Sequence, residues 1–128
     1  MKKSILEKKI KFASQEELLF LLLNYTDFKF QQVIALWKEN NVEGTILAGK
    51  LMDNLLELKS TLNVDIAEGP MREALINIRD IYSLIIDEIS KSSIKKDYER
   101  LEKSHKLFLQ VKDIFDEDRR NMQKSKGI

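Results

Sequence analysis

Glu102-Lys103-Ser104-His105 is the one stretch of this sequence with the spacing of a metal or catalytic site. Residues three apart share a helix face, and Glu-x-x-His pairs on facing helices hold di-iron centres in four-helix bundles. Such a centre takes a second Glu-x-x-His, and the chain has one histidine. The reading that fits is a histidine at the edge of an apolar stripe. Carboxylates cluster at Glu16-Glu17, Asp87-Glu88 and Asp116-Glu117-Asp118. Acids repeated at three-residue spacing on facing helices can hold magnesium, but the residue three after Glu17 is Phe20. These runs read as solvated faces or as favourable charge near helix N-termini. Serines are plentiful, yet one histidine without a visible partner is poor support for a nucleophilic site. The four glycines are scattered, so no phosphate-cradling loop is present, and the absence of cysteine excludes disulfides and thiolate metal sites. Lys95-Lys96 and Arg119-Arg120 read as solvated surface. The expectation is a protein that is not an enzyme and uses no cofactor and no metal.

The elements that position these residues follow from composition. At 128 residues and 15.0 kDa the chain is expected to form one principal folded unit. Charged residues make up 34% yet cancel to a net +1, which argues against a nucleic-acid partner. One proline and four glycines leave room for long helices. Near the N-terminus Ile5, Leu6, Ile10 and Phe12 are separated by lysines rather than forming a signal-peptide core. The run Leu18–Leu23 falls far short of the roughly 20 residues that cross a bilayer. A cytoplasmic protein with no stable membrane insertion is expected.

Ser14 followed by Glu17 is a capping box, so a first long helix is predicted from Ser14 to about Glu39. Asn40-Asn41 ends it and starts a second helix over about Val42 to Thr61, returning antiparallel after a tight turn. Gly69-Pro70 starts a third helix, with Met71, Ala74, Leu75, Ile78, Ile81, Tyr82, Ile85 and Ile89 as its buried stripe; Ile76 and Leu84 fall outside. Asp97 caps a fourth, which turns Leu101, His105, Phe108, Val111, Ile114 and Phe115 toward the core. The predicted fold is all-α, an antiparallel up-down-up-down four-helix bundle spanning 13–122, with a short N-terminal amphipathic segment at 1–12 and a polar tail at 123–128.

The first two helices carry more apolar surface than that bundle needs. Six consecutive apolar residues, Leu18 to Leu23, point all round the axis. One seam runs Leu19, Leu22/Leu23, Thr26, Phe30, Val33, Trp37, and a second runs Leu18, Leu21, Tyr25, Phe28 on the other side. The second helix repeats this, with a strong seam at Leu47, Leu51, Leu55, Leu58 and Leu62 and a weaker one at Thr45, Gly49, Met52 and Leu56. Small Gly49 and adaptable Met52 would let another helix come close, either a partner's or a neighbouring helix of the same bundle. A surplus seam must be covered by the chain's own N-terminus, a second copy or a different partner. Leu18, Leu21, Tyr25, Phe28, Gly49, Met52 and Leu56 are the expected partner-facing residues. The competing expectation is a self-associating structural bundle in which these seams form a symmetric homodimer.

Three motifs in order resemble the flagellin-specific export chaperones, the FliS family: Ala13-Ser14-Gln15-Glu16-Glu17-Leu18-Leu19, then Leu58-Lys59-Ser60-Thr61-Leu62-Asn63, then Ile94-Lys95-Lys96-Asp97. The resemblance covers about residues 13 to 116. It implies a cytoplasmic helical bundle that binds the C-terminal segment of flagellin, prevents premature polymerisation and assists flagellar type III export, with the export gate or a cochaperone as further partners. A cochaperone without a flagellin client is the alternative within the same system. The resemblance also implies a lid made by the N-terminal segment, here Ile5, Leu6, Ile10 and Phe12. The chain departs from the pattern at Gln15, where the motif has proline, and in having no tyrosine in residues 1–12.

Overall fold

The computed structural model describes residues 15–126. Four helices follow one another: α1 (Gln15–Lys38), α2 (Glu43–Ser60), α3 (Gly69–Ser93) and α4 (Tyr98–Lys126), with no strand among the described residues. Each packs on its two neighbours, α1 on α2 and α4, α3 on α2 and α4, which closes the predicted up-down-up-down ring.

Two turns at one end of the bundle repeat the same chemistry. After α1, Asn40 takes the left-handed conformation (φ 53°), and the Asn41 N–H reaches back to the Leu36 carbonyl at 2.9 Å. The Asn41 side-chain oxygen then accepts from the Glu43 N–H at 2.9 Å, capping α2. After α3, Lys96 is left-handed (φ 52°) and the Asp97 N–H reaches the Ser92 carbonyl at 2.9 Å. The Asp97 carboxylate accepts from the Arg100 N–H at 3.2 Å, capping α4. Lys96 Nζ donates to Asn40 Oδ1 at 3.2 Å and ties the two turns together. At the opposite end, Gly69 (φ +60°) makes the reversal ahead of Pro70 that starts α3. Ser14, the other half of the predicted capping box, lies outside the described residues.

The core is the expected one along most of its length. Leu23, Phe30, Val33 and Trp37 of α1 meet Leu51, Leu55 and Leu58 of α2, Tyr82, Ile85 and Ile89 of α3, and Leu101, Phe108 and Val111 of α4. Buried Thr26 satisfies its hydroxyl on the Leu22 carbonyl at 2.7 Å, and Trp37 Nε1 donates to Thr45 Oγ1 at 3.2 Å. Gly44 lies under the Trp37 ring, where a Cβ would stand 2.5 Å from Cδ1, so only glycine fits that approach.

Several expectations need correction. Met71, Ala74 and Ile114, predicted to face the core, are exposed. Phe20, assigned to neither seam, is buried, with the Arg119 guanidinium 4.4 Å above its ring. Phe20, Asp27 and Ile34 recur every seven residues and form the flank of α1 turned to α4, so that helix has three occupied directions rather than two. The helix α4 also continues through the start of the polar tail, to Lys126.

Candidate partner-binding face

The Glu102/His105 pair is occupied by other work. Glu102 meets Lys38 at 3.2 Å, while His105 Nε2 lies 2.7 Å from Asp27 Oδ1 and its ring stacks on Phe30 at 5.0 Å. These contacts bind α4 to α1. No group of three His, Cys, Asp or Glu side chains able to hold a metal occurs among the described residues. The Asp87-Glu88 and Asp116-Glu117-Asp118 runs divide likewise: Asp87 pairs with Lys91, Glu88 with Arg100 and Asp116 with Lys112. The Arg100 guanidinium holds the Glu88 carboxyl below its ordinary pKa, and Glu88 in turn raises that of Arg100.

Away from the core, the α1–α2 hairpin presents a mixed outer face. Three to four residues separate Leu18, Leu21, Tyr25 and Phe28, so they rise along one side of α1. Leu21 is exposed, Tyr25 and Phe28 are 57% and 56% exposed, and Leu18 is half-buried. The antiparallel register is fixed near the turn by Trp37 on Thr45 and at the other end by Leu19 and Leu22 beside Thr61. In that register Tyr25 stands level with Leu56, which is exposed, and Phe28 with Met52, which is half-buried against the core. Gly49 is half-buried, and a Cβ there would meet nothing within 4 Å. The face therefore has an aromatic ridge on α1, an aliphatic bank on α2 and open space at its glycine.

Where α1 begins, this face runs into a depression of about 550 Å³ lined by Leu18, Leu19, Leu22 and Thr61, with Glu16 and Asn63 as its polar edge. Ile46, which the sequence reading left unassigned, is also exposed, one turn before Gly49 on α2. Its seven-residue spacing to Asp53, which is also exposed, places it on the solvent side of the seam. The predicted lid residues Ile5, Leu6, Ile10 and Phe12 lie outside the described residues.

The described residues that make up this face are apolar, aromatic or small. Its chemistry is desolvation of flat apolar rings and adaptable packing around a methionine, which suits the apolar side of an incoming helix. The model of one family, described as flagellar protein FliS, matches residues 1–122. The chain belongs to the FliS family. The match spans α1 to α3 and nearly all of α4, so this FliS-family bundle is covered as a whole. No curated protein and no solved structure matches the chain. Membership gives it a flagellar chaperone role in general terms and a flagellin-related partner. No helix among the described residues is long and apolar enough to cross a membrane.

Proposed function

We propose that this FliS-family protein is a cytoplasmic chaperone whose α1–α2 outer face receives the C-terminal helical segment of flagellin. Covering that segment prevents premature polymerisation and keeps the subunit ready for flagellar type III export. The observation that carries the reading is the exposed row Leu21, Tyr25 and Phe28, level with Leu56 and open at Gly49. An amphipathic helix laid there would bury its apolar side against two aromatic anchors, and aromatic side chains dominate such binding energetics. The mechanism is reversible occlusion through shape and apolar complementarity, with no bond made or broken.

Titration calorimetry with a flagellin C-terminal peptide tests it. Phe28→Asp and Met52→Asp are expected to abolish binding while the circular dichroism spectrum stays helical; unchanged binding in both folded variants overturns the assignment. A symmetric homodimer through the same seam would instead sediment as a tight dimer insensitive to the peptide. In the same reading residues 1–12 act as a lid over the face. Deleting them is then expected to tighten peptide binding, and unchanged or weaker binding removes the lid from the reading.

A further inference from the structure

Sulfur in this chain is all thioether, carried by four methionines and no cysteine. No thiol competes for a peroxide, which leaves methionine as the sulfur it can oxidise. Two of the four have described side chains: Met71, at the start of α3, is 63% exposed, and Met52, in the middle of α2, is half-buried. Met52 stands on the α1–α2 face, on the same side of α2 as Gly49 and Leu56, three residues before it and four after.

Long side chains on a helix lean toward its N-terminus, across the residues three and four positions earlier. For Met52 those residues are Gly49 and Ala48. Ala48 is buried and ends at Cβ, and a Cβ added at Gly49 would meet nothing within 4 Å. The space over Gly49 that admits a partner helix is therefore open to a molecule as small as hydrogen peroxide while the face is free.

We infer that Met52 is a sulfoxidation site whose oxidised form no longer accepts the partner helix, so that oxidation and occupancy exclude one another; this rests on flagellin capture at the same face and adds its regulation. The sulfur lone pair attacks one oxygen of hydrogen peroxide, forming the S–O bond as the O–O bond breaks. The thioether gives up two electrons and becomes a sulfoxide, and the departing hydroxide takes the proton from the transferred oxygen and leaves as water. The new oxygen puts bulk and a strong hydrogen-bond acceptor into the space over Gly49. Water satisfies that acceptor on the open face, and the apolar side of a bound helix takes the water away.

The test treats the full chain with dilute hydrogen peroxide, removes the excess with catalase, locates sulfoxides by mass-spectrometric peptide mapping and titrates the product with a methionine-free flagellin C-terminal peptide. Met52 is expected to oxidise in the folded chain at a rate within roughly tenfold of that of Met71, and saturating peptide should slow Met52 but not Met71. The chain oxidised at Met52 should keep its helical circular dichroism spectrum and bind the peptide roughly fivefold or more weakly, and methionine sulfoxide reductases should restore the affinity. Met71→Leu should lose affinity on oxidation as the parent chain does, while Met52→Leu, whatever its starting affinity, should lose none. Oxidation at Met52 only after unfolding, unchanged affinity of the Met52 sulfoxide, or an equal loss in oxidised Met52→Leu overturns the inference. So does collapse of the helical spectrum on oxidation, which would make the Met52 sulfur part of the core rather than of the face. Absence of binding in the untreated chain refutes flagellin capture itself and is read before any peroxide is added, so the two failures are distinct.

Discussion

Gly49→Leu sets stability and binding against each other. A glycine inside a helix costs about 1 kcal/mol relative to a good helix former, because its unfolded backbone has more freedom to lose. At Gly49 a new Cβ would enter open space, so nothing in the fold opposes recovery of that amount. For a chain of this size the gain corresponds to a rise in melting temperature of roughly 3–5 °C. A partner helix approaching Gly49 would meet the opposite effect. Leucine pushes a facing helix outward from an interaxial distance near 8 Å toward about 10 Å, and overpacking of a close contact costs about 1–3 kcal/mol. Binding of the flagellin C-terminal peptide should then weaken by roughly 5- to 150-fold in a protein that melts higher. Thermal melts by circular dichroism and peptide titration of one preparation give both numbers. Gly44→Ala is the internal contrast: its Cβ would stand 2.5 Å from Trp37 Cδ1, so the melting temperature should fall. Unaltered peptide affinity in Gly49→Leu would refute close approach at Gly49, and a lower melting temperature would refute the open space.

The Tyr82 hydroxyl is buried without a hydrogen-bond partner, and burial raises its pKa above the usual tyrosine value. Tyr82→Phe should therefore stabilise the fold by about 1 kcal/mol in chemical denaturation, and a clear loss would mean that the hydroxyl is satisfied in solution. Lys96 holds a left-handed backbone that suits glycine or asparagine better, and its side chain returns one exposed hydrogen bond to Asn40. Lys96→Gly should then raise stability by up to about 1 kcal/mol, measured the same way; destabilisation would show that the bond to Asn40 outweighs the strain. Because the folded pKa of Glu88 is lowered, chiefly by its hydrogen bond from Arg100, its contribution is fully present above the ordinary glutamate range and is lost as pH falls through the depressed value. The acid limb of a stability-versus-pH curve should flatten in Glu88→Gln, and identical limbs would remove that linkage.

The bundle was legible because its breakers are few and each carries its own chemistry. Asn40-Asn41 supplies a left-handed residue and then a cap, and Asp97 caps α4 from its predicted place. The limit of the reading was Phe20. A two-seam description of α1 has no place for a residue that faces a neighbouring helix sideways, and its cover, Arg119, lies 99 positions away in sequence (119 − 20). His105 was legible as a stripe-edge residue, but its partner Asp27 was not, since the pairing depends on how α1 and α4 are set against one another.

Met71 and Ile114 mark a different limit, and a physical one. Periodicity shows that side chains share a face, but not how far the facing helix extends to cover them. Helix α2 ends at Ser60, and the residues that follow it up to Glu68 form the turn rather than further helix. Toward the base, α3 and α4 thus lie at the end of the ring where one of the four helices stops early. A stripe continuous from Ile89 down to Met71 in sequence is buried at Ile89, Ile85, Tyr82 and Ile78 and exposed at Ala74 and Met71. On α4 the core contact continues to Phe115, which is half-buried, and Ile114 is exposed because it turns away from that face. On α3 the apolar repeat outlasts the core that would explain it by about one helical turn. On α1 the surplus was visible as six apolar neighbours in a row; on α3 it was hidden inside a regular stripe, and only the position where burial stops separates core from exposed residue.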